Sequence, residues 1–195
     1  EVMDACLKLD RYLGVFINRV DDIVGLENVL FVLTADHGGL PLPEYVVEQG
    51  GTGGRINDSH FKEALQWIDE EFEERFGDKF YHNEGANFFL DKKKMKSENI
   101  IADTVYNIVS QYLLKVEGIE KMIIKDSILA SNSSDKMTKR LKNMINIHNT
   151  PEIFPIVTPG YLFRSPYGTS HGSPYDYDTH VPLIFSRTQF RAKTK

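Results

Sequence analysis

A single cysteine, Cys6, stands in 195 residues, which excludes a disulfide framework and any zinc site built from thiolates. Long apolar runs are missing too. The longest, Val29 to Leu33, falls far short of the roughly 18 residues a membrane helix needs, so no membrane span is expected. Positive charge is scarce: 23 Lys and Arg stand against 28 Asp and Glu, and the net charge of -5 gives no global basic field to favour nucleic acid. The first residues do not read as a signal peptide. There is no Gly-x-Ser-x-Gly nucleophile elbow. The glycine run Gly50 to Gly54, followed by Arg55, lacks the lysine of a phosphate-binding loop and reads as a flexible loop. What remains is an ordinary globular composition, 41% hydrophobic and 26% charged, at a length suited to one domain with an insertion.

The chain opens in mid-pattern. Val2, Cys6, Leu9, Leu13, Phe16 and Val20 recur with helical period from the first residues, and no Ser, Thr, Asp or Asn precedes them as an N-cap. This predicts a piece of a longer polypeptide. Val29 to Leu33 reads as a strand buried on both faces, as in a parallel α/β sheet. One helical turn is expected around Glu44 to Glu48. A helix capped by Asp58 or Ser59 should run to Phe76 on an apolar face of Phe61, Leu65, Ile68 and Phe72. A hairpin over Lys79 to Leu90 comes next, then a helix from Ser97 or Glu98 to Val116, a strand-like stretch from Lys121 to Leu129, a helix over Asp135 to Ile147 and a strand over Ile153 to Val157. Residues 79–158 thus read as an α+β subdomain inside one α/β fold. Lys136, Lys139, Arg140 and Lys142 form a small basic patch with no aromatic residue between them, which reads as surface. Val181 to Phe185 reads as a last core strand.

Two stretches are candidates for chemistry: Leu33-Thr-Ala-Asp-His-Gly-Gly39 and Gly168-Thr-Ser-His-Gly-Ser-Pro-Tyr175. Asp36 and His37 follow a strand, where Gly38 and Gly39 let the backbone curl, and a carboxylate and an imidazole are proper zinc ligands. His171 lies in a second glycine-flanked loop. From the residues alone, Asp36 is equally a strand terminator, and His37 and His171 are equally turn and loop histidines of a non-catalytic α/β binding domain. His180 reads as a histidine that packs or hydrogen-bonds to a metal ligand rather than as a ligand itself.

Leu-Thr-Ala-Asp-His-Gly at 33–38, Pro159-Gly-Tyr-Leu162, and the run from Gly168 through Tyr175-Asp-Tyr-Asp-Thr-His-Val-Pro-Leu-Ile-Phe185 resemble the C-terminal part of bacterial alkaline phosphatases. These belong to the type I phosphodiesterase and nucleotide pyrophosphatase branch of the alkaline phosphatase superfamily. Glu1-Val-Met-Asp4 and Leu9-Asp-Arg11 resemble the segment that follows an Asp-x-x-x-His metal motif in that family. The resemblance is strong at both ends; from about 60 to 150 only the order of elements matches.

It implies the C-terminal part of a three-layer α/β sandwich with residues 79–158 inserted, and a hydrolase of small phosphate esters working with two zinc ions. It also implies a periplasmic or secreted location. Asp36 and His37 match ligands of the zinc on the nucleophile side, and His171 matches a ligand of the other. The family's Thr or Ser nucleophile and its remaining ligands lie upstream of the equivalent of Glu1, so a missing N-terminal portion of the same chain is the expected partner, and this chain alone is expected to be inactive. A related sulfatase or phosphoglycerate mutase would differ in residues that lie in that portion.

Overall fold

The computed structural model describes residues 1–163 and 167–188, and the chain divides into two units: residues 1–36 with the segment from Val181 onward, and His37 to His180. The first unit begins with α1 (Val2–Val24), whose N-cap Glu1 makes no side-chain hydrogen bond, as its sequence predicts. Gly25, at φ 77°, ends the helix and donates its amide to the Asp21 carbonyl at 2.9 Å. A single 3₁₀ turn, Leu26–Asn28, leads into β1 (Phe31–Thr34).

The second unit contains, in order, α2 (Pro43–Glu48), β2 (Gly54–Arg55), α3 (Asp58–Phe76), β3 (Tyr81–Glu84), β4 (Asn87–Leu90), α4 (Lys92–Ser97), α5 (Ala102–Leu113) and β5 (Ile119–Ile124). Then come α6 (Lys125–Ala130), α7 (Lys136–Met144), β6 (Ile153–Val157), β7 (Tyr161–Leu162) and the short α8 (Asp176–Thr179). Its framework is a four-stranded antiparallel sheet in the order β3-β4-β6-β5. All four strands fall within 79–158, while α3, which lies outside that span, packs on α5.

Strand alternation divides the core. Ile153 of β6 faces a cluster with Ile68, Phe72, Phe88, Val105, Val109 and Leu113, whereas Phe154 and Ile156 face a smaller cluster with Ile123 and Leu141. Pro155 is tolerated in β6 because β4 pairs with that strand only at Ile153, leaving a neighbour on one side of the proline.

Several expectations shift locally. Asn57, rather than Asp58 or Ser59, caps α3 by accepting the amides of Ser59 and His60, each at 3.0 Å. The helix foreseen from Ser97 or Glu98 starts later, at Ala102 of α5; a separate, unforeseen helix, α4, capped by Asp91, precedes it, and Asn99 at φ 56° lies between the two. The stretch from Lys121 to Leu129 is half strand and half helix. Gly54 and Arg55, read as loop, pair in parallel with Tyr161 and Leu162.

The first unit ends with β8 (Leu183–Ser186), which pairs antiparallel with β1 from Phe31↔Ser186 to Thr34↔Leu183. This corrects the reading of Val29 to Leu33 as a doubly buried parallel strand. β1 has one antiparallel neighbour among the described residues, and Val32, Leu33, Ile184 and Phe185 are exposed. An unbroken apolar run records what a strand can bury, not what covers it.

Candidate metal centre

Asp36 follows β1 and is exposed at the boundary of the first unit. His37 opens the second unit, and there the fold brings together two residues that are far apart in sequence. The rings of His37 and His171 stack with centroids 3.5 Å apart and planes 10° from parallel. His37 Nδ1 lies 2.6 Å from the Gly38 carbonyl oxygen. A carbonyl only accepts, so Nδ1 carries the proton and the lone pair of the ring sits on Nε2.

Backbone hydrogen bonds knit three stretches around this pair. The amides of Gly38 and Gly39 donate to the carbonyls of Asp178 (2.7 Å) and Tyr177 (3.0 Å), and that of Leu40 donates to Ser170 (3.1 Å). Thr169 Oγ1 closes the same junction on the Leu40 carbonyl. Gly38 is required by the approach: a Cβ built there would drive into the Tyr177 carbonyl. On the other side, the Ser173 amide donates to Asp178 Oδ2 at 2.7 Å. Gly172, at φ 102°, supplies the turn between His171 and Ser173.

Charged residues that sequence reading left as surface or loop hold the ends of these stretches. Arg55 donates to Glu44 through Nε (2.6 Å) and Nη2 (3.1 Å), and Nη2 also reaches the Gly168 carbonyl at 2.9 Å. The Arg55 hydrogen bond holds the Glu44 carboxyl below its ordinary range. From α7, Lys136 and Arg140 bind Asp176 at 2.7 and 2.6 Å, and Arg140 Nη1 reaches the Pro174 carbonyl at 2.7 Å. The bonds from Lys136 and then Arg140 pull Asp176 down to about 2. The only sequence signal for Arg140 was its place in a helical basic patch; for Arg55 there was none beyond a neighbouring glycine run. His180 is exposed rather than packed, and its amide closes α8 on the Asp176 carbonyl at 2.9 Å.

His171 borders a cleft of about 960 Å³ whose walls include Phe61, Tyr161, Ser170 and Tyr177. Burial raises the Tyr177 phenol above its ordinary value, so it stays protonated and able to donate at neutral pH. Among the described residues, no group of three or more His, Cys, Asp or Glu side chains is placed to hold a metal ion. No helix among them is long and apolar enough to cross a membrane.

No protein-family model matches the chain. Over 189 residues it is 26% identical to the calcium-transporting ATPase of Myroides odoratus, and over 188 residues 29% identical to alkaline phosphatase PafA of Elizabethkingia meningoseptica. Alkaline phosphatase PhoV of Synechococcus elongatus is 25% identical over 185 residues. Each alignment takes in 95% of this chain, which spans about a third of the relatives' length, 33 to 34%. The crystal structure of wild-type alkaline phosphatase PafA superposes with a TM-score of 0.78 at 28% identity, covering 96% of this chain and 35% of that one. A substituted variant of the same enzyme gives a TM-score of 0.77. In sequence and in fold the chain is therefore similar to alkaline phosphatases along nearly its whole length and to about a third of theirs.

Proposed function

We propose that this chain is the C-terminal portion of a metal-dependent hydrolase of phosphate esters, in which Asp36, His37 and His171 supply part of a two-zinc centre. The observation that carries the reading is the stacked His37–His171 pair. The lone pair of an imidazole nitrogen lies in the ring plane, so two nearly parallel rings do not converge on one ion. They suit two ions spaced like the rings themselves, and 3.5 Å matches the roughly 3.5–4 Å of two-metal sites. The donor set fits as well: two imidazoles and a carboxylate, on stretches where neighbouring glycines let the backbone turn.

Asp36, His37 and His171 would hold part of the zinc pair, which when bound would supply Lewis-acid polarisation of the phosphoryl group and stabilise charge on the attacking and leaving oxygens. The chain's own residues do the positioning. The Gly38 carbonyl fixes the His37 tautomer that presents Nε2, the junction with 169–178 holds His171 against it, and the cleft beside His171 offers aromatic and hydroxyl walls to the organic part of an ester. The nucleophile and remaining ligands belong to polypeptide corresponding to the rest of the relatives' length. Three relatives named as phosphatases or an ATPase support phosphorus–oxygen chemistry over a sulfatase. Phosphate diesters and nucleotides fall within the proposed substrate class, and an exported location within the proposed setting.

The test is hydrolysis of p-nitrophenyl phosphate by the full-length protein. Activity should vanish with EDTA, return with zinc and fall at least about 100-fold in His171→Ala or His37→Ala. The 195-residue chain alone should show none. Full activity in EDTA, or in either alanine variant, would overturn the reading.

A further inference from the structure

We infer that Asp178 is the positioning residue that sets the register between the two histidine-bearing loops, an inference that rests on the metal centre proposed above. Asp178 is 4% exposed, a costly place for a carboxylate. Its two halves are used on opposite loops. The side-chain Oδ2 accepts the Ser173 amide at 2.7 Å, two residues beyond His171, while the main-chain carbonyl accepts the Gly38 amide at 2.7 Å, one residue beyond His37.

Packing alone does not account for the group. Oδ1 is also buried and has no hydrogen-bond partner among the described residues, so the carboxylate is only half satisfied. An apolar side chain of similar size would be cheaper at that depth. What an apolar residue cannot do is hold Ser173. The segment is anchored at its other end as well, since Arg140 holds the Pro174 carbonyl and, with Lys136, Asp176. Asp178 therefore works from a fixed base: its carboxylate draws in the turn at Gly172 and Ser173, and its carbonyl draws in the turn at Gly38. Rings stacked at 3.5 Å lose their common alignment if either turn moves by about an ångström, and metal sites respond to such shifts through affinity.

The experiment uses the full-length protein stripped with EDTA. Zinc binding is followed by titration calorimetry and stability by thermal melting, for wild type, Asp178→Ala and Asp178→Asn. Alanine should weaken zinc binding about 10- to 100-fold in samples that remain folded at the titration temperature. Asparagine, whose amide oxygen still accepts the Ser173 amide, should stay within about threefold of wild type.

A role in stability alone would lower the melting temperature and leave zinc affinity unchanged, and equal affinity in Asp178→Ala and wild type would overturn the inference while leaving the proposed centre intact. Wild-type protein that takes up no zinc would overturn both. If Asp178→Ala does not fold, hydrogen exchange on the wild type decides. Zinc should slow the amides of Gly38, Gly39 and Ser173 together, and protection of one turn without the other would overturn the coupling.

Discussion

Gly38 has the least room to change. Its amide is spent on Asp178, and a side chain there would collide with the Tyr177 carbonyl, which belongs to backbone and cannot swing aside. Gly38→Ala should destabilise the unit from His37 to His180 by about 1–3 kcal/mol in urea denaturation, the usual cost of forcing an extra methyl into a packed site. A variant as stable as wild type would show that the two stretches are not in contact in solution. At this scale the sequence was readable where a residue's role follows from its own chemistry. Asp36, His37 and His171 stood out because imidazoles and carboxylates flanked by glycine suit metals. Asp178 and Arg55 did not, since what they do depends on carbonyls and amides of distant loops, and main-chain groups carry no residue identity.

Among the elements, α7 shows how a surface helix comes to serve a loop. Asp135 caps it by accepting the Thr138 amide at 2.9 Å, and one turn of spacing then points Lys136 and Arg140 toward Asp176. The pair has a defined pH dependence. Asp176 titrates near 2 in the fold against 3.8 in its ordinary state, so the tether is fully present above about pH 4 and fades as acid protonates the carboxylate through 2. The melting temperature of Asp176→Asn should lie slightly below that of wild type at pH 6, and the gap should close between pH 4 and 2. A gap that holds constant or widens in acid would show that the carboxylate is not what holds the loop.

Helices and hairpins were legible here because period and caps are local. The cap of α3 was missed by one position, at Asn57, and α4 was missed altogether because its six residues carry one apolar side chain, Met95, too few to show a period. The strand from Phe31 was found but its surroundings were misjudged, since pairing partners are a matter of tertiary structure.

Across the whole molecule the two units differ in what they bury. The unit from His37 to His180 has large side chains fully enclosed, Phe72, Phe88, Ile68 and Leu113 among them. In α1, β1 and β8 no residue is buried, and Leu7, Leu13, Phe16, Leu33 and Phe185 lie open. The proposed remainder of the sandwich would give that apolar surface its cover. In the 195-residue chain by itself, amides of β5 and β6 should exchange with deuterium at least about 100-fold more slowly than those of α1, because buried core elements open only with the global transition. Equal protection in α1 would contradict the exposure described for it.

The meeting of Leu40 with Thr169 and Ser170 has a consequence for how such a chain can vary. The backbone leaves at Leu40 and returns beside it at Ser170, and Gly54 and Arg55 pair with Tyr161 and Leu162 along the same seam. Everything between is a closed excursion whose two ends are already joined. The entropy of closing such a loop grows only slowly with its length, and insertions succeed where the ends lie close. The parts of the excursion away from Arg55 and α7 can therefore lengthen, shrink or be exchanged over evolution without altering the spacing of His37 and His171, as long as its neck stays hydrogen-bonded and Arg55, Lys136 and Arg140 keep their hold on residues 168–176.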